Sequence, residues 1–301
     1  MGKQNVGLLS GLVLLALVVF VVAQSISAMA AGKFPLTVKD DWGRSLTIPR
    51  EPERIISVAP SNTEILFALG LGSKVVGVTT WCDYPAEAKR IEKIGDLNPN
   101  VEKILALKPD LILAKGDLQR ETVEKLTSLG LPVLVINPRT MEETLEAIRL
   151  VGDATGRVEE AKHLTAELAK RLEKVKEQVA ARKAQKPLKV FIEIWNEPLM
   201  TAGPGSFLDE MIRLVGAQNV AFDAKSAWPQ FSTELLLARN PDIVILTNFN
   251  KAEVLKRPAW QQIAALRKGQ IYEVDTAVYT RPGPRLFDGL EALWKLVSTS
   301  K

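Results

Sequence analysis

Two segments of the chain match each other position by position, and this internal repeat is the feature that most restricts the fold. In each segment a residue suited to a helix N-cap, Asn100 or Ser232, is followed two positions later by an acid, Glu102 or Glu234. A Pro-Asp pair comes seven positions after each acid and opens an apolar run typical of a buried strand. Such a duplication indicates two related α/β units, and strands that alternate with helices favour parallel sheets.

The match continues beyond these strands. In each half a polar loop leads to a predicted helix and then to a glycine, Gly130 or Gly269. Another predicted strand follows, at residues 132–137 in one half and 270–275 in the other. The repeat therefore covers helix, strand, helix and strand in the same order.

The first half opens with further elements. The DDWG sequence at residues 40–43 predicts a hairpin turn. The run IISVA at 55–59 predicts a strand, and the next residues predict a helix capped by Ser61 with Glu64 in its first turn. The run VVGVTT at 75–80 predicts the next strand, which delivers the chain to the stretch TTWCDYP.

The longest helical pattern joins the two halves. Residues 157 to about 186 contain no glycine or proline and are rich in Ala, Leu, Glu and Lys. A helix of about 30 residues would be about 45 Å long, so we interpret it as a stiff strut that allows little lobe movement. The predicted fold class is α/β, with two Rossmann-like lobes of parallel sheets at residues 32–155 and 188–301, and the linking helix at 156–187.

The first 31 residues predict export. Lys3 precedes an almost unbroken apolar run from Val6 to Ala23, and Ala28-Met29-Ala30 matches a small-x-small cleavage site. The run suits either a signal peptide or an uncleaved membrane anchor. Both readings place the remainder in the periplasm or another extracytoplasmic space. No cysteine near this segment could carry a lipid.

Charge and residue counts exclude several function classes. The net charge is +4, and basic and acidic residues alternate along helices, so nucleic acid is not an expected partner. The only cysteine, Cys82, has no predicted base, because the only histidine, His163, lies on the long helix. A metal site built on several His or Cys ligands is excluded by count. We therefore predict neither catalysis nor a cofactor, and interpret Cys82 as a small residue of a ligand-site wall.

The loops at the carboxyl ends of the predicted strands should meet in a cleft between the lobes. They are rich in aromatic, proline and amide side chains, which suit a large, flat, partly apolar ligand with polar edges. Trp260 and Trp294 have helical spacing to apolar neighbours and are predicted to lie in the core. The predicted ligand contacts are Pro60, Ser61, Asn62, Trp81, Cys82, Asp83, Tyr84, Trp195, Trp228, Tyr279 and Arg281.

Glu102 and Glu234 occupy equivalent first turns in the two halves. An acid there complements the helix dipole, which alone could explain both. Their matched placement would also suit docking of a partner with paired basic residues. The residues leave both readings open.

Five stretches together resemble the periplasmic binding proteins that have a single linking helix: DDWGRSLTIPREPERIISVAPSNTEILFALGLG, VVGVTTWCDYP, VEKILALKPDLIL, AWPQFSTELLLARNPDIVI and AWQQIAALRKGQIYEVD. That family delivers vitamin B12, haem or iron–siderophore complexes to ABC importers. The resemblance implies a non-catalytic receptor that serves a permease dimer and its ATPase. It also implies that Glu102 and Glu234 match the family's acids that meet permease arginines.

Within this family, WCDYP and the Trp-Pro-Gln of WPQFSTE are similar to the cobalamin-binding branch. The likeness implies that Trp81, Tyr84 and Trp228 pack on the corrin and its nucleotide base. The loops at Leu97 and Gly116 lack the further aromatics that cobalamin binders can carry, and the lipobox of Gram-positive relatives is missing.

Other ligands and classes stay open at this point. A haem binder would need an axial ligand, for which Tyr84 and Tyr279 are candidates. A siderophore binder would use cleft arginines, and Arg281 and Arg285 are the candidates. An exported hydrolase and a membrane-anchored sensor that signals without transport are the remaining alternatives.

Overall fold

The computed structural model describes residues 34–116, 119–182, 186–247 and 251–300, so the predicted export segment lies outside the described residues. Within these ranges the strands are β1 (Leu36–Lys39), β2 (Ser45–Ile48), β3 (Ile55–Ser57), β4 (Val75–Val78), β5 (Leu111–Ala114), β6 (Val133–Val135), β7 (Lys189–Glu193), β8 (Gln218–Asn219), β9 (Ile243–Leu246) and β10 (Ile271–Glu273).

The helices alternate with these strands. They are α1 (Pro60–Ala68), α2 (Val101–Ala106), α3 (Arg120–Ser128), α4 (Met141–Thr155), α5 (Val158–Ala180), α6 (Phe207–Leu214), α7 (Thr233–Arg239), α8 (Lys251–Val254), α9 (Ala264–Arg267), α10 (Thr276–Thr280) and α11 (Leu286–Thr299). Single 3₁₀ turns occur at Gly72–Lys74, Ala86–Arg90 and Pro258–Gln262. Among these helices none has the length and apolarity needed to span a bilayer.

Two parallel four-stranded sheets have the same strand order. The first runs β4-β3-β5-β6 and the second runs β8-β7-β9-β10, so each lobe has the doubly wound order 2-1-3-4. In both lobes the strand after the Pro-Asp pair, β5 or β9, lies at the centre of the sheet. The predicted α/β class with two Rossmann-like lobes is confirmed. The separate hairpin of β1 and β2 is antiparallel, as the DDWG turn predicts.

Local capping explains where the repeated helices begin. The Asn100 side chain accepts a hydrogen bond from the Lys103 amide at 2.9 Å, and Ser232 accepts one from the Leu235 amide at 3.1 Å. The predicted cap at Ser61 is wrong, because Ala59 is the N-cap and α1 begins at Pro60, two residues before the predicted start. Proline suits that position, since the amide it lacks would have no partner in the helix.

The linking helix α5 is confirmed as a strut but is shorter than predicted. It has 23 residues, or about 35 Å. It packs against α4 of the first lobe and against α6 and α11 of the second. Arg171 binds Asp288 and Glu291 of α11 at 2.6 and 2.7 Å, and Lys176 binds Glu142 of α4 at 3.1 Å. The helix is thus fixed to both lobes, while the exact lobe boundaries stay a prediction.

One apolar core continues from the first lobe through α5 into the second. Leu168, Leu172 and Val175 of α5 belong to the same buried cluster as Ile148 of α4 and Leu290 of α11. Burial of this shared surface favours a fixed arrangement of the lobes, because parting them here would expose apolar side chains to water.

The two predicted core tryptophans differ in depth. Trp260 is 3% exposed and meets the Phe191 ring edge-on, with ring centroids 5.9 Å apart. Trp294 is partly buried against the larger core. Trp260 is therefore confirmed as a core residue.

A carboxylate of the second lobe contacts the first near this core. Glu210 of α6 accepts a hydrogen bond from the Met141 amide at 2.9 Å, at the first residue of α4. Burial raises the pKa of Glu210 to about 7, with added repulsion from Glu142 and Glu143 that Arg213 and the Met141 amide oppose. The ionised carboxylate is thus poorly accommodated between the lobes.

This raised pKa predicts a pH-dependent stability. The folded chain holds the Glu210 proton more tightly than the unfolded chain, whose pKa is near 4.5. The stabilisation of the folded state that comes from the protonated Glu210 carboxyl is therefore fully present below that value. It is lost as the pH rises through about 7. We expect Glu210→Gln to match the parent at pH 4.5 and to exceed it above pH 7 by about 1 kcal/mol, or about 2–4 °C, after allowing for partial exposure.

Thermal unfolding followed by circular dichroism across this pH range is the measurement. The exposed Glu177→Gln on α5 serves as the control and should show the parent's pH slope. A Glu210→Gln slope equal to that of the parent would contradict the prediction.

Candidate ligand-binding site

A groove between the lobes lies at the carboxyl ends of β3, β4 and β5, where open α/β sheets bind ligands. The loops after these strands face a segment of the second lobe at residues 280–285. A cavity of about 250 Å³ lies between them. Its lining includes Pro60, Ser61, Trp81, Leu97, Arg281 and Pro282.

A second cavity of about 430 Å³ lies against the same segment. Its lining includes Glu64, Phe67, Tyr84, Pro85, Pro284 and Arg285. The sequence RPGPR at residues 281–285 thus borders both cavities, and its two arginines contact Glu64 of α1.

Glu64 connects the two lobes at this segment. Its carboxylate contacts Arg285 at 2.6 Å (Nη2) and 3.0 Å (Nε), a bidentate pair, and contacts Nη1 of Arg281 at 3.3 Å. The Glu64 side chain is 1% exposed, and the two arginine side chains are 19% and 16% exposed. We call these three residues the arginine bridge. Charge-assisted pairs of this kind are strong and geometrically specific.

The arginine bridge also holds the WCDY stretch of the first lobe. Arg281 binds Asp83 at 2.5 Å, and its Nη2 lies 3.4 Å from the Trp81 carbonyl oxygen. The Arg281 guanidinium keeps the pKa of Asp83 below its usual range. The Arg285 guanidinium carbon lies 3.8 Å from the centroid of the Tyr84 ring, and bonding to Glu64 raises the pKa of Arg285. Both arginines therefore orient this stretch.

The two aromatic side chains of this stretch remain accessible. Trp81 is 59% exposed and Tyr84 is 46% exposed. Exposed rings at the mouth of a groove offer rigid apolar area that suits contact with a flat ligand. The structure thus brings Pro60, Ser61, Trp81 and Arg281 together at one cavity, with Tyr84 at the other.

Four of the predicted contact residues are buried: Ser61, Asn62, Cys82 and Tyr279. Ser61 still lines the first cavity, but the other three line neither cavity, which corrects the sequence analysis. Cys82 is 1% exposed and lies beneath the loop, with its Sγ 3.1 Å from Thr63 Oγ1 and 3.2 Å from Thr79 Oγ1. Asn62 is 1% exposed because it lies on the inner face of α1. Tyr279 is 2% exposed within the larger core.

Burial also changes the acidity of the Tyr279 phenol. The core environment of Tyr279 raises its pKa to about 12, because the charged form is poorly solvated there. A buried, protonated phenol is a poor candidate for an axial haem ligand. Of the two tyrosines considered as axial haem ligands, Tyr84 therefore remains.

Trp195 and Trp228 lie on loops of the second lobe that Met200 joins through isolated bridges. They are 54% and 46% exposed, and the Trp195 indole donates to the Glu197 carbonyl at 3.0 Å. Neither tryptophan lines the two cavities described above. Their contact with a ligand stays a prediction.

Sequence reasoning missed Glu64 and Gln119 as residues that shape the groove. Gln119 is 5% exposed and donates to the Val58 carbonyl at 2.6 Å, which ties the loop after β5 to the loop after β3. The role of Glu64 could have been predicted from the sequence. It is the one acid in the apolar helix sequence TEILFALG, and a buried acid needs a cation from elsewhere in the chain.

Glu102 and Glu234 are exposed first-turn acids of α2 and α7, as predicted. The pKa of Glu234 is lowered by a hydrogen bond to its own backbone amide and by Ser232. Both carboxylates are therefore available to a partner. Their docking role stays a prediction.

The burial of Cys82 predicts low reactivity. A thiol that is 1% exposed should react with a bulky disulfide reagent only when the chain opens. We expect labelling in native buffer to be at least about 100-fold slower than in denaturant, because it requires transient opening. Absorbance-detected thiol titration measures both rates. Rapid labelling of native protein would contradict the buried position.

Comparison with known proteins adds the family context. Residues 55–278 match the family model described as periplasmic binding protein. An uncharacterized ABC transporter substrate-binding lipoprotein of Bacillus subtilis is 38% identical over 266 residues, which cover 86% of this chain and 84% of that protein. A vitamin B12-binding protein of Pectobacterium atrosepticum is 31% identical over 240 residues, covering 78% of this chain and 85% of that protein.

A solved structure has the same fold. It is a protein of Staphylococcus epidermidis described as a possible iron-binding periplasmic solute-binding protein, with a TM-score of 0.72 and 34% identity. The similarity covers 82% of this chain and 99% of that one.

Proposed function

The chain belongs to the periplasmic binding protein family, and from this premise we propose that it captures cobalamin or a related corrinoid in the inter-lobe groove. It is an ABC transporter substrate-binding protein of the iron and vitamin B12 class. In our proposal it is exported by its N-terminal segment and delivers the ligand to a permease dimer driven by an ATPase.

The observation that carries the proposal is the pair of accessible rings, Trp81 and Tyr84, held at the groove by arginines that are already paired with acids. A corrin offers a flat face for such rings and amide groups at its edge. The similarity to a vitamin B12-binding protein supports the same ligand class.

The size of the groove restricts how such a ligand could enter. Drug-sized ligands occupy pockets of about 300–1,000 Å³, and cobalamin is larger than these ligands. The cavities of about 250 and 430 Å³ are too small to enclose it separately. Because α5 and the shared core hold the lobes at a nearly fixed distance, a ligand that leaves the arginine bridge intact would rest at the groove mouth against Trp81.

A ferric siderophore or haem is the alternative ligand. The similarity to the possible iron-binding protein of Staphylococcus epidermidis favours it, and Tyr84 is an accessible candidate for an axial haem ligand. The absorbance spectrum of protein purified from its native source distinguishes the classes, because corrinoid, haem and ferric chelate differ in colour.

We expect removal of the predicted ring contacts to weaken corrinoid binding. Trp81→Ala combined with Trp228→Ala should lower the affinity for cyanocobalamin by about 10- to 100-fold, because stacking and apolar contact with two rings are lost. Equilibrium dialysis with absorbance detection measures the affinity without depending on tryptophan fluorescence.

Phe222→Ala is a matched control, because Phe222 is also an exposed aromatic, at 55%, and lines neither groove cavity. It should bind like the parent. Undiminished affinity in the double variant would count against the proposed site.

For docking, we propose that Glu102 and Glu234 meet basic residues of the permease. They are exposed and lie in equivalent first turns of the two lobes, and the family resemblance implies that they correspond to its docking acids.

Replacing both docking acids should separate binding from delivery. We expect Glu102→Ala with Glu234→Ala to leave cyanocobalamin affinity unchanged and to lower stimulation of the ATPase, in proteoliposomes with the cognate transporter, by at least about tenfold. Glu121→Ala, another exposed first-turn acid, should retain full stimulation. Full stimulation by the double variant would contradict the docking role and favour a receptor that signals without transport.

A further inference from the structure

The arginines of the groove are neutralised within the protein. Arg281 is paired with Glu64 and Asp83, and Arg285 with Glu64 and, at 3.8 Å, with Asp275. Because Glu64 is 1% exposed and bidentate to Arg285, it occupies the guanidinium face that a ligand carboxylate or catecholate would use.

The charges around the two cavities leave no net positive charge. Among the described residues that line the two cavities, three are cationic and three are acidic, and two further acids pair with the lining arginines. The cations are Arg281, Arg285 and Lys115, and the acids are Glu64, Asp83, Glu87, Asp96 and Asp275. An anionic ligand therefore finds no net positive charge in this groove to attract it.

An anion could take the bidentate face of Arg285, formed by Nε and Nη2, only by displacing Glu64. The displaced carboxylate would remain buried on α1 without a cation, which is strongly unfavourable. A neutral ligand with amide groups at its edge avoids this penalty, because it can leave the arginine bridge intact and contact Trp81 and Tyr84.

We propose that Glu64 is a specificity-determining residue whose buried carboxylate excludes anionic ligands from the groove and so selects neutral, amide-edged ones. This inference rests on the proposed function, since it concerns the same groove. Glu64 acts through Arg281 and Arg285, because its ion pairs with them keep their guanidinium groups from binding the ligand.

The test compares a neutral probe with anionic probes. Cyanocobalamin, haem with its propionate carboxylates, and a ferric tris-catecholate complex are titrated into the parent and into Glu64→Gln by equilibrium dialysis. The amide has nearly the same shape but no charge, so it frees the guanidinium charge. We expect affinity for the ferric catecholate to rise about 10- to 100-fold, the strength of new charge-assisted hydrogen bonds, and cyanocobalamin affinity not to rise.

Two matched variants isolate the mechanism. Glu87→Gln removes the same charge from an exposed acid beside the second cavity without freeing an arginine, so its gain should be under about threefold. Adding Arg285→Gln to Glu64→Gln should abolish the gain. If Glu64→Gln folds poorly, Asp83→Asn, at an exposed acid paired with Arg281, should give a smaller gain in the same direction.

The outcomes for the two proposals can be told apart. Equal catecholate affinity in the parent and Glu64→Gln, or an equal gain in Glu87→Gln, overturns the role of Glu64 even when cyanocobalamin binds the parent. A parent that binds no cyanocobalamin overturns the proposed function, while a catecholate gain specific to Glu64→Gln still supports the exclusion of anions.

Discussion

The buried contact of Glu64 with Arg281 and Arg285 determines the shape and the charge of the groove. The carboxylate comes from α1 of the first lobe, and the arginines flank Pro-Gly-Pro in the second. Arg281 and Arg285 lie 217 and 221 positions after Glu64 in the chain. The same arginines reach Asp83 and the Tyr84 ring, so one ionic contact closes the groove and positions its aromatic rim.

The apolar packing of α5 makes this ionic contact possible. A stiff helix shared by both lobes, with a core that continues on either side of it, brings the lobes together at a nearly fixed distance. Ion pairs at a protein surface contribute little to stability, whereas a pair held between two rigid bodies has already lost most of its conformational freedom. Glu210, which meets the first residue of α4, is a second polar contact between the lobes and one whose charge is poorly tolerated.

A groove lined by paired arginines differs chemically from one lined by free arginines. The residue types in the sequence do not distinguish the two cases. Arg281 and Arg285 suggest a site for an anionic chelate when only their residue types are considered. Their ion pairs with Glu64, Asp83 and Asp275 reverse that interpretation. In the proposed function, recognition depends on ring contact and amide hydrogen bonding more than on charge.

The amino-acid sequence by itself determined the repeated α/β units, the parallel sheets, the caps at Asn100 and Ser232, and the existence of a linking helix. These features follow from apolar periodicity and from hydrogen bonds between near neighbours, and both can be identified from short stretches of sequence. Only the tertiary structure decided that Cys82, Asn62 and Tyr279 are buried while Trp81 stays exposed, and that Glu64 meets two arginines. The reason is that burial in loops, and the choice of partner for a buried charge, are set by segments far apart in the chain, about which local patterns carry no information.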